Sequence, residues 1–186
     1  LKFCQKLLKR LWRFRHLKKM KNNNNICQGL YTEKVLKTFK NPHNSGKIKN
    51  ASGIGKVGNI VCGDVMWLYI KVEENKKGQE FIKDIKFETF GCVAAISTSS
   101  IITDLVKGKT VKEALKVTKD NVIKSLGGLP KIKYHCSVLA VDALVEAIFD
   151  YYTKQGRKIP AGLQKRHEII QKSKEIIEKR YEKWTK

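Results

Sequence analysis

Val61-Cys-Gly-Asp-Val-Met-Trp-Leu-Tyr-Ile-Lys-Val72 is the stretch whose reading decides the fold. From Val65 to Val72 the residues alternate. Met66, Leu68, Ile70 and Val72 fall on one face, with Trp67 and Tyr69 on the other, which is the period of a half-buried strand. Glu73 to Gly78 is a polar turn, and Phe81 to Phe90 alternates again with Ile85, Phe87 and Thr89 on one face. Two such runs joined by a short turn pair antiparallel. That pairing brings Cys62, just ahead of the first run, and Cys92, just beyond the second, to the same end of the sheet.

The cysteines stand in chemically suggestive settings. Gly63 separates Cys62 from Asp64 and lets the backbone turn sharply, so thiol and carboxylate can face one spot. Cys92 follows Phe90-Gly91, and Cys136 follows His135 shortly after Gly127-Gly128-Leu129-Pro130. Each lies where an ordered element meets a loop, the usual place for a rigid scaffold to present chemistry. Cys62, Cys92, Cys136, Asp64 and His135 together form a candidate soft-metal or iron–sulfur site. The separations, thirty and forty-four residues, match no compact zinc finger. Spacing alone leaves a second reading open, three buried and inert cysteines.

Outward from the strands the pattern is helical. Tyr31, Val35 and Phe39 mark an amphipathic helix stopped by Asn41-Pro42, and residues 45–58, rich in Gly, Ser and Asn, predict a loop and a short edge strand. Val93 to Val106 predicts a helix whose first N–H groups would favour a Cys92 thiolate. Thr110-Val-Lys-Glu113 has the form of a capping box. Asp120 is the expected N-cap of the next helix, which ends at Gly127-Gly128. Ser137 is the expected cap of a helix from Val138 to Tyr152 that buries Val138, Val141, Leu144, Val145 and Ile148. Residues 163–184 predict a separate lysine-rich helix docking one stripe drawn from Ile169, Ile176, Ile177, Tyr181 and Trp184. Strands followed by helices imply an α+β fold, a small antiparallel sheet of about three strands covered on one face by helices, with an extra C-terminal helix.

Length and charge narrow the class. The 186 residues suit one domain with extensions. The divisions expected are a basic, partly low-complexity extension at 1–29, a central domain at 30–153, and a basic helical extension at 154–186. Lysine and arginine outnumber acids 39 to 17, giving a net charge of +22. The excess is concentrated at the ends: residues 1–30 hold nine basic and no acidic side chains. Basic surfaces attract phosphate, but no arginine occurs between 31 and 153 and no aromatic-interleaved motif appears, so nucleic acid is not expected as a partner. Five cysteines, an odd number with no secretory leader in front, argue for free thiols in a reducing compartment. No run reaches the ~18 apolar residues of a membrane span. Residues 1–19, with Phe3, Leu7, Leu11 and Phe14 among basic residues, fit a mitochondrial-type targeting helix or an extension upstream of Met20. The Asn22–Asn25 run reads as a flexible joint, and Cys4 and Cys27 take no role.

The segments around the three cysteines carry a family resemblance. Gly58-Asn-Ile-Val-Cys-Gly-Asp-Val-Met66, Thr89-Phe-Gly-Cys-Val-Ala-Ala-Ile-Ser-Thr-Ser-Ser100 and Gly127-Gly-Leu-Pro-Lys-Ile-Lys-Tyr-His-Cys-Ser137 resemble, in order, the ligand segments of IscU/NifU-type iron–sulfur cluster assembly scaffolds. Tyr31-Thr-Glu-Lys-Val35, Asn41-Pro42 and Val106-Lys-Gly-Lys-Thr-Val-Lys-Glu-Ala-Leu115 resemble that family's connecting parts. The resemblance, from about Leu30 to Tyr152, implies a non-enzymatic scaffold. Its members receive persulfide sulfur from a cysteine desulfurase, combine it with iron into a transient 2Fe–2S cluster, and pass the cluster to acceptor apoproteins. It implies Cys62, Cys92, Cys136 and Asp64 as ligands, with His135 as ligand, proton carrier or supporting donor. Zinc suits the same donors and can occupy the isolated protein, and a zinc-dependent hydrolase is the alternative those donors leave open. Leu129, Pro130, Lys131, Ile132 and Lys133 stand where the family meets a DnaK-type chaperone, with Lys131 in place of the usual second proline. The Gly127-Gly128 form of this segment is similar to bacterial and archaeal members, which implies a cytoplasmic setting; a mitochondrial-type matrix is the alternative.

Overall fold

The computed structural model describes residues 30–59 and 62–182, with side chains through Ile176. The expectations for residues 1–29, Cys4 and Cys27 among them, lie outside the described residues, as do the side chains of Ile177, Tyr181 and Trp184.

Helix α1, Glu33–Lys40, begins where Thr32 Oγ1 accepts the Val35 N–H, and it carries Glu33 at its start and Lys37 and Lys40 at its end. That order suits the helix dipole. Strands β1 (Gly53–Asn59), β2 (Asp64–Glu74) and β3 (Glu80–Phe90) form one antiparallel sheet in the order β1-β2-β3. Register follows the alternation: Met66 pairs with Thr89, Leu68 with Phe87 and Ile70 with Ile85, and a bulge falls between Lys71 and Val72. Met66, Leu68, Ile70, Ile82 and Ile85 are wholly buried on the helix-covered face. Val65, Trp67 and Phe90 stay exposed on the other. Tyr69, on that outer face, is nevertheless buried, with its hydroxyl donating to Glu88 Oε2 at 2.9 Å.

Helices α2 (Val93–Val106), α3 (Val111–Ala114), α4 (Lys119–Ser125), α5 (Tyr134–Lys154) and α6 (Ala161–Glu182) follow. α2 is polar for a buried helix, yet each hydroxyl has a carbonyl to meet. Ser97 donates to Val35 O at 2.9 Å, Ser99 to Ala95 O at 2.6 Å, and Thr103 to Ser100 O at 2.6 Å. Buried polar groups satisfied in this way cost little. α5 lies against β1 without side chains between them. A Cβ at Gly53 would sit 2.1 Å from Ala147 O, and one at Gly55 would sit 1.9 Å from Ala143 O.

Three expectations need correction. Helix α4 is capped by Thr118, whose Oγ1 accepts the Asn121 N–H while Asn121 accepts in return; Asp120 lies inside the first turn. Ser137 does not cap a helix. The 3-10 turn Lys131–Lys133 runs straight into α5, which starts at Tyr134, and Ser137 Oγ donates back to Tyr134 O. Val138 is therefore rotated outward and exposed. α6 docks through Leu163, His167 and Ile170, leaving Ile169 and Ile176 exposed. The contact is partly polar: His167 meets Glu146 at 2.8 Å and stacks on Phe149, and Gln171 donates to Glu146 at 2.9 Å.

Candidate metal centre

The turn Cys62-Gly63 opens β2, and Gly63 has φ +69°, a left-handed conformation that glycine adopts without strain. Asp64 follows as the first residue of β2, and Val65 pairs with Phe90 at the end of β3. Cys92, two residues beyond Phe90, is the N-cap of α2. Cys136 lies in the first turn of α5. One sheet end and two helix starts therefore meet.

The side chains converge as a chain of contacts. Cys92 Sγ lies 3.7 Å from Cys136 Sγ, and Cys136 Sγ lies 3.7 Å from Asp64 Oδ2. The Cys92 N–H donates to Asp64 Oδ1 at 3.3 Å. Cys62 Sγ lies 3.2 Å from His135 Nε2. His135, Asp64 and Cys136 offer ligand atoms all within 4.8 Å of one another, so the imidazole links Cys62 to the rest. The cluster is graded in exposure: Cys62 is exposed, Cys92 intermediate and Cys136 buried, and Asp64 is only 3% exposed. All three cysteines are free thiols.

The neighbouring thiols titrate as a pair. The Cys136 S–H directed at Cys92 draws the Cys92 thiol down to about 5; the Ala95 and Ala94 N–H groups at the start of α2 act in the same sense, against burial and the Asp64 charge. Cys136 moves strongly upward, because it gives that hydrogen bond and is buried. Lys133 faces the same thiols; its ammonium is held above the usual lysine range by the charge at Cys92, and to a lesser extent at Tyr31, Cys136 and Cys62.

Among the expected chaperone-contact residues, Leu129 is turned into the core, which removes it from any surface the segment presents as it stands. Pro130 and Lys133 are half-buried, whereas Lys131 is exposed and Ile132 is 73% exposed. Sequence reasoning missed Gly91. A Cβ there would stand 2.6 Å from Asp64 Oδ1 and 2.8 Å from Ala95 Cβ, so only glycine lets the carboxylate lie where it does. A glycine immediately before a candidate ligand was the available signal. Thr98, on α2, was also missed. Its hydroxyl donates to Cys136 O at 3.1 Å and ties the two ligand-bearing helices together.

This arrangement can bind a soft cation or a small iron–sulfur core through sulfur, with a carboxylate and an imidazole beside it. The described residues contain no helix long and apolar enough to cross a membrane.

Known proteins match closely. The family model described as NifU-like N terminal domain matches residues 30–158. The iron-sulfur cluster assembly scaffold protein IscU 1 of Archaeoglobus fulgidus is 56% identical over 146 residues, 77% of this chain and 92% of its own length. The iron-sulfur cluster assembly enzyme IscU of Drosophila melanogaster is 44% identical over 143 residues, 75% of this chain and 90% of its own. A crystal structure from Fervidobacterium islandicum, described as an assembly scaffold for the SUF system, superposes with a TM-score of 0.53 at 27% identity, covering 63% of this chain and 96% of that one.

Proposed function

The chain belongs to the NifU-like N-terminal domain family, and from that premise we propose that it is a scaffold on which an iron–sulfur cluster is assembled and then handed on. The observation that carries the proposal is the convergence of Cys92, Cys136, Asp64 and the His135–Cys62 pair at one open end of the sheet. In this reading the three cysteine sulfurs hold a 2Fe–2S cluster built from iron and desulfurase-derived sulfur. Asp64 supplies a harder, weaker corner. A storage or electron-transfer centre normally uses four thiolates, and a weak fourth position suits a cluster that must leave. His135 keeps Cys62 oriented and can carry its proton. The protein acts as a scaffold rather than a catalyst, with the cluster as its cargo.

The finer assignments belong to the same proposal. The partners are a cysteine desulfurase, acceptor apoproteins and a DnaK-type chaperone meeting the Lys131–Ile132 surface. The scaffold domain is residues 30–153, between the basic segments 1–29 and 154–186. Zinc is a competing occupant of the isolated protein, since three thiols with a carboxylate or imidazole suit it. A cytoplasmic setting is supported by the higher identity to the archaeal scaffold than to the mitochondrial assembly protein of Debaryomyces hansenii, 56% against 47%.

The test is anaerobic reconstitution with ferrous iron, cysteine and a catalytic amount of cysteine desulfurase, followed by absorbance and by iron and sulfide analysis. The expected product is coloured and oxygen-sensitive, with iron and acid-labile sulfide in equal amounts. Cys62→Ala, Cys92→Ala and Cys136→Ala should each abolish it. A colourless protein, or colour undiminished in all three variants, contradicts the proposal.

A further inference from the structure

Two of the three thiols already face each other. Cys92 Sγ and Cys136 Sγ are 3.7 Å apart, whereas Cys62 is engaged with His135. A disulfide needs ~2.05 Å between sulfurs, so the pair must close by ~1.6 Å. The two differ in access. Cys92 is at the loop–helix junction and within reach of solvent, while Cys136 is fully buried behind it. One reachable sulfur thus stands in front of one sequestered sulfur, the order a reactive and a resolving cysteine need.

We propose that Cys92 and Cys136 form a reversible modification site in the cluster-free protein, closed into a disulfide by a hydroperoxide while Cys62 stays free. Cys92 sulfur attacks one peroxide oxygen and the O–O bond breaks. The sulfur is oxidised to a sulfenic acid, and the peroxide is reduced to an alcohol, or to water when hydrogen peroxide is used. Cys136 sulfur then attacks Cys92 sulfur and the S–O bond breaks. The hydroxyl leaves as water with the Cys136 proton; Asp64 Oδ2 lies 3.7 Å from that sulfur. Two thiols and one hydroperoxide give one disulfide, one alcohol and one water. A dithiol reductant reverses the change. The consequence rests on the scaffold reading: two of the three sulfur ligands are withdrawn, so assembly stops, and neither sulfur climbs to an irreversible oxidation state.

The test uses the full-length, reduced, metal-free protein treated with equimolar hydrogen peroxide, then alkylated, digested and mapped by mass spectrometry. The expected result is a Cys92–Cys136 cross-linked peptide pair, parallel loss of alkylation at those two residues, and full alkylation of Cys62. Dithiothreitol should restore all three. In Cys136→Ser, Cys92 should instead stop at the sulfenic acid with one equivalent of peroxide and proceed to the sulfinic acid when a second equivalent is added. A cross-link that includes Cys62, or sulfinic acid at Cys92 of the unsubstituted protein with no cross-link, overturns the inference. These readouts need no iron, so they stand apart from the assembly activity. Reconstitution of the cross-linked protein should fail and recover with dithiothreitol. Undiminished assembly on cross-linked protein would contradict the scaffold role of the pocket and not the disulfide.

Discussion

At the scale of the residue, the account turns on Asp64 and the glycine beside it. Asp64 is nearly buried, takes the Cys92 N–H, and lies beside the Cys136 thiol. Asp64→Ala removes the exchangeable corner and leaves the three thiols. The cluster should then be held longer, with the half-time of transfer to an apo-acceptor rising several-fold; equal or faster transfer would leave Asp64 as a structural residue. The variant also strands a partly buried N–H, at a cost of about 1–3 kcal/mol, so its folding should be checked by circular dichroism. Gly91→Ala should displace the same carboxylate by steric contact alone. Its Cβ would fall 2.6 Å from Asp64 Oδ1, and overpacking of that kind costs about 1–3 kcal/mol. A lowered urea midpoint together with slower cluster transfer, in the same direction as Asp64→Ala, is the expected pair of outcomes, and an unchanged midpoint would contradict the steric argument. The candidate ligands were legible in the sequence because thiol, carboxylate and imidazole are distinctive groups in ordered settings. The pairing of Cys62 with His135 was not legible, since the two are 73 residues apart and meet only through the fold. Gly91 escaped for a similar reason: its role is a distance, and composition carries no distances.

At the scale of the element, strands were easier to read than helix ends. The alternation from Val65 to Val72 and from Phe81 to Phe90 fixes faces and register together, because a slip by one residue would reverse both faces. The Thr110–Glu113 capping box was equally plain, and both of its reciprocal bonds form. Thr118 was passed over for Asp120, two cap-forming residue types two positions apart; what decides is that Asn121 stands three residues after Thr118 and closes the reciprocal pair. Ser137 misled for the opposite reason, being a good cap residue already inside a helix. Strand β1 was only partly legible, since glycine-rich composition reads as loop. Its glycines serve close approach: Gly53 and Gly55 let α5 pack with its backbone on the strand. Gly55→Ala would ordinarily favour a strand by reducing the freedom of the unfolded chain. Here its Cβ would meet a backbone carbonyl at 1.9 Å, so the substitution should destabilise by at least about 1–3 kcal/mol. A urea midpoint equal to or above that of the parent protein would refute the close packing of β1 on α5.

At the scale of the whole molecule, the long helix α5 links the candidate site to the C-terminal helix. Its first turn carries His135 and Cys136, and its middle carries Asp142 and Glu146 against α6. Burial pushes the Asp142 carboxyl up to about 6, against the opposing pull of Arg166 and with the help of Glu146. An acid raised in the folded state binds its proton more tightly there than in the unfolded chain. Its contribution is therefore fully present below about pH 4 and is lost as pH rises through about 6, by up to roughly 3 kcal/mol. Asp142→Asn should flatten the stability profile between about pH 4 and 6 in chemical denaturation; an unchanged slope would show that the carboxyl is better solvated than the structure indicates. That helix was legible as an element but its docking stripe was not, because half of the contact is polar and the hydrophobic pattern alone picked out Ile169 and Ile176. The basic N-terminal segment is expected to be dispensable for chemistry, so a chain lacking residues 1–25 should assemble cluster as the full chain does. The central claim is that the pocket builds a cluster in order to release it, and the most direct measurement is of release. The reconstituted protein is mixed anaerobically with a reduced apo-ferredoxin, separated, and the iron and sulfide on each protein counted over time. The account predicts that both elements leave together and appear on the acceptor in equal amounts. A cluster that remains on this chain while the acceptor stays empty would contradict it.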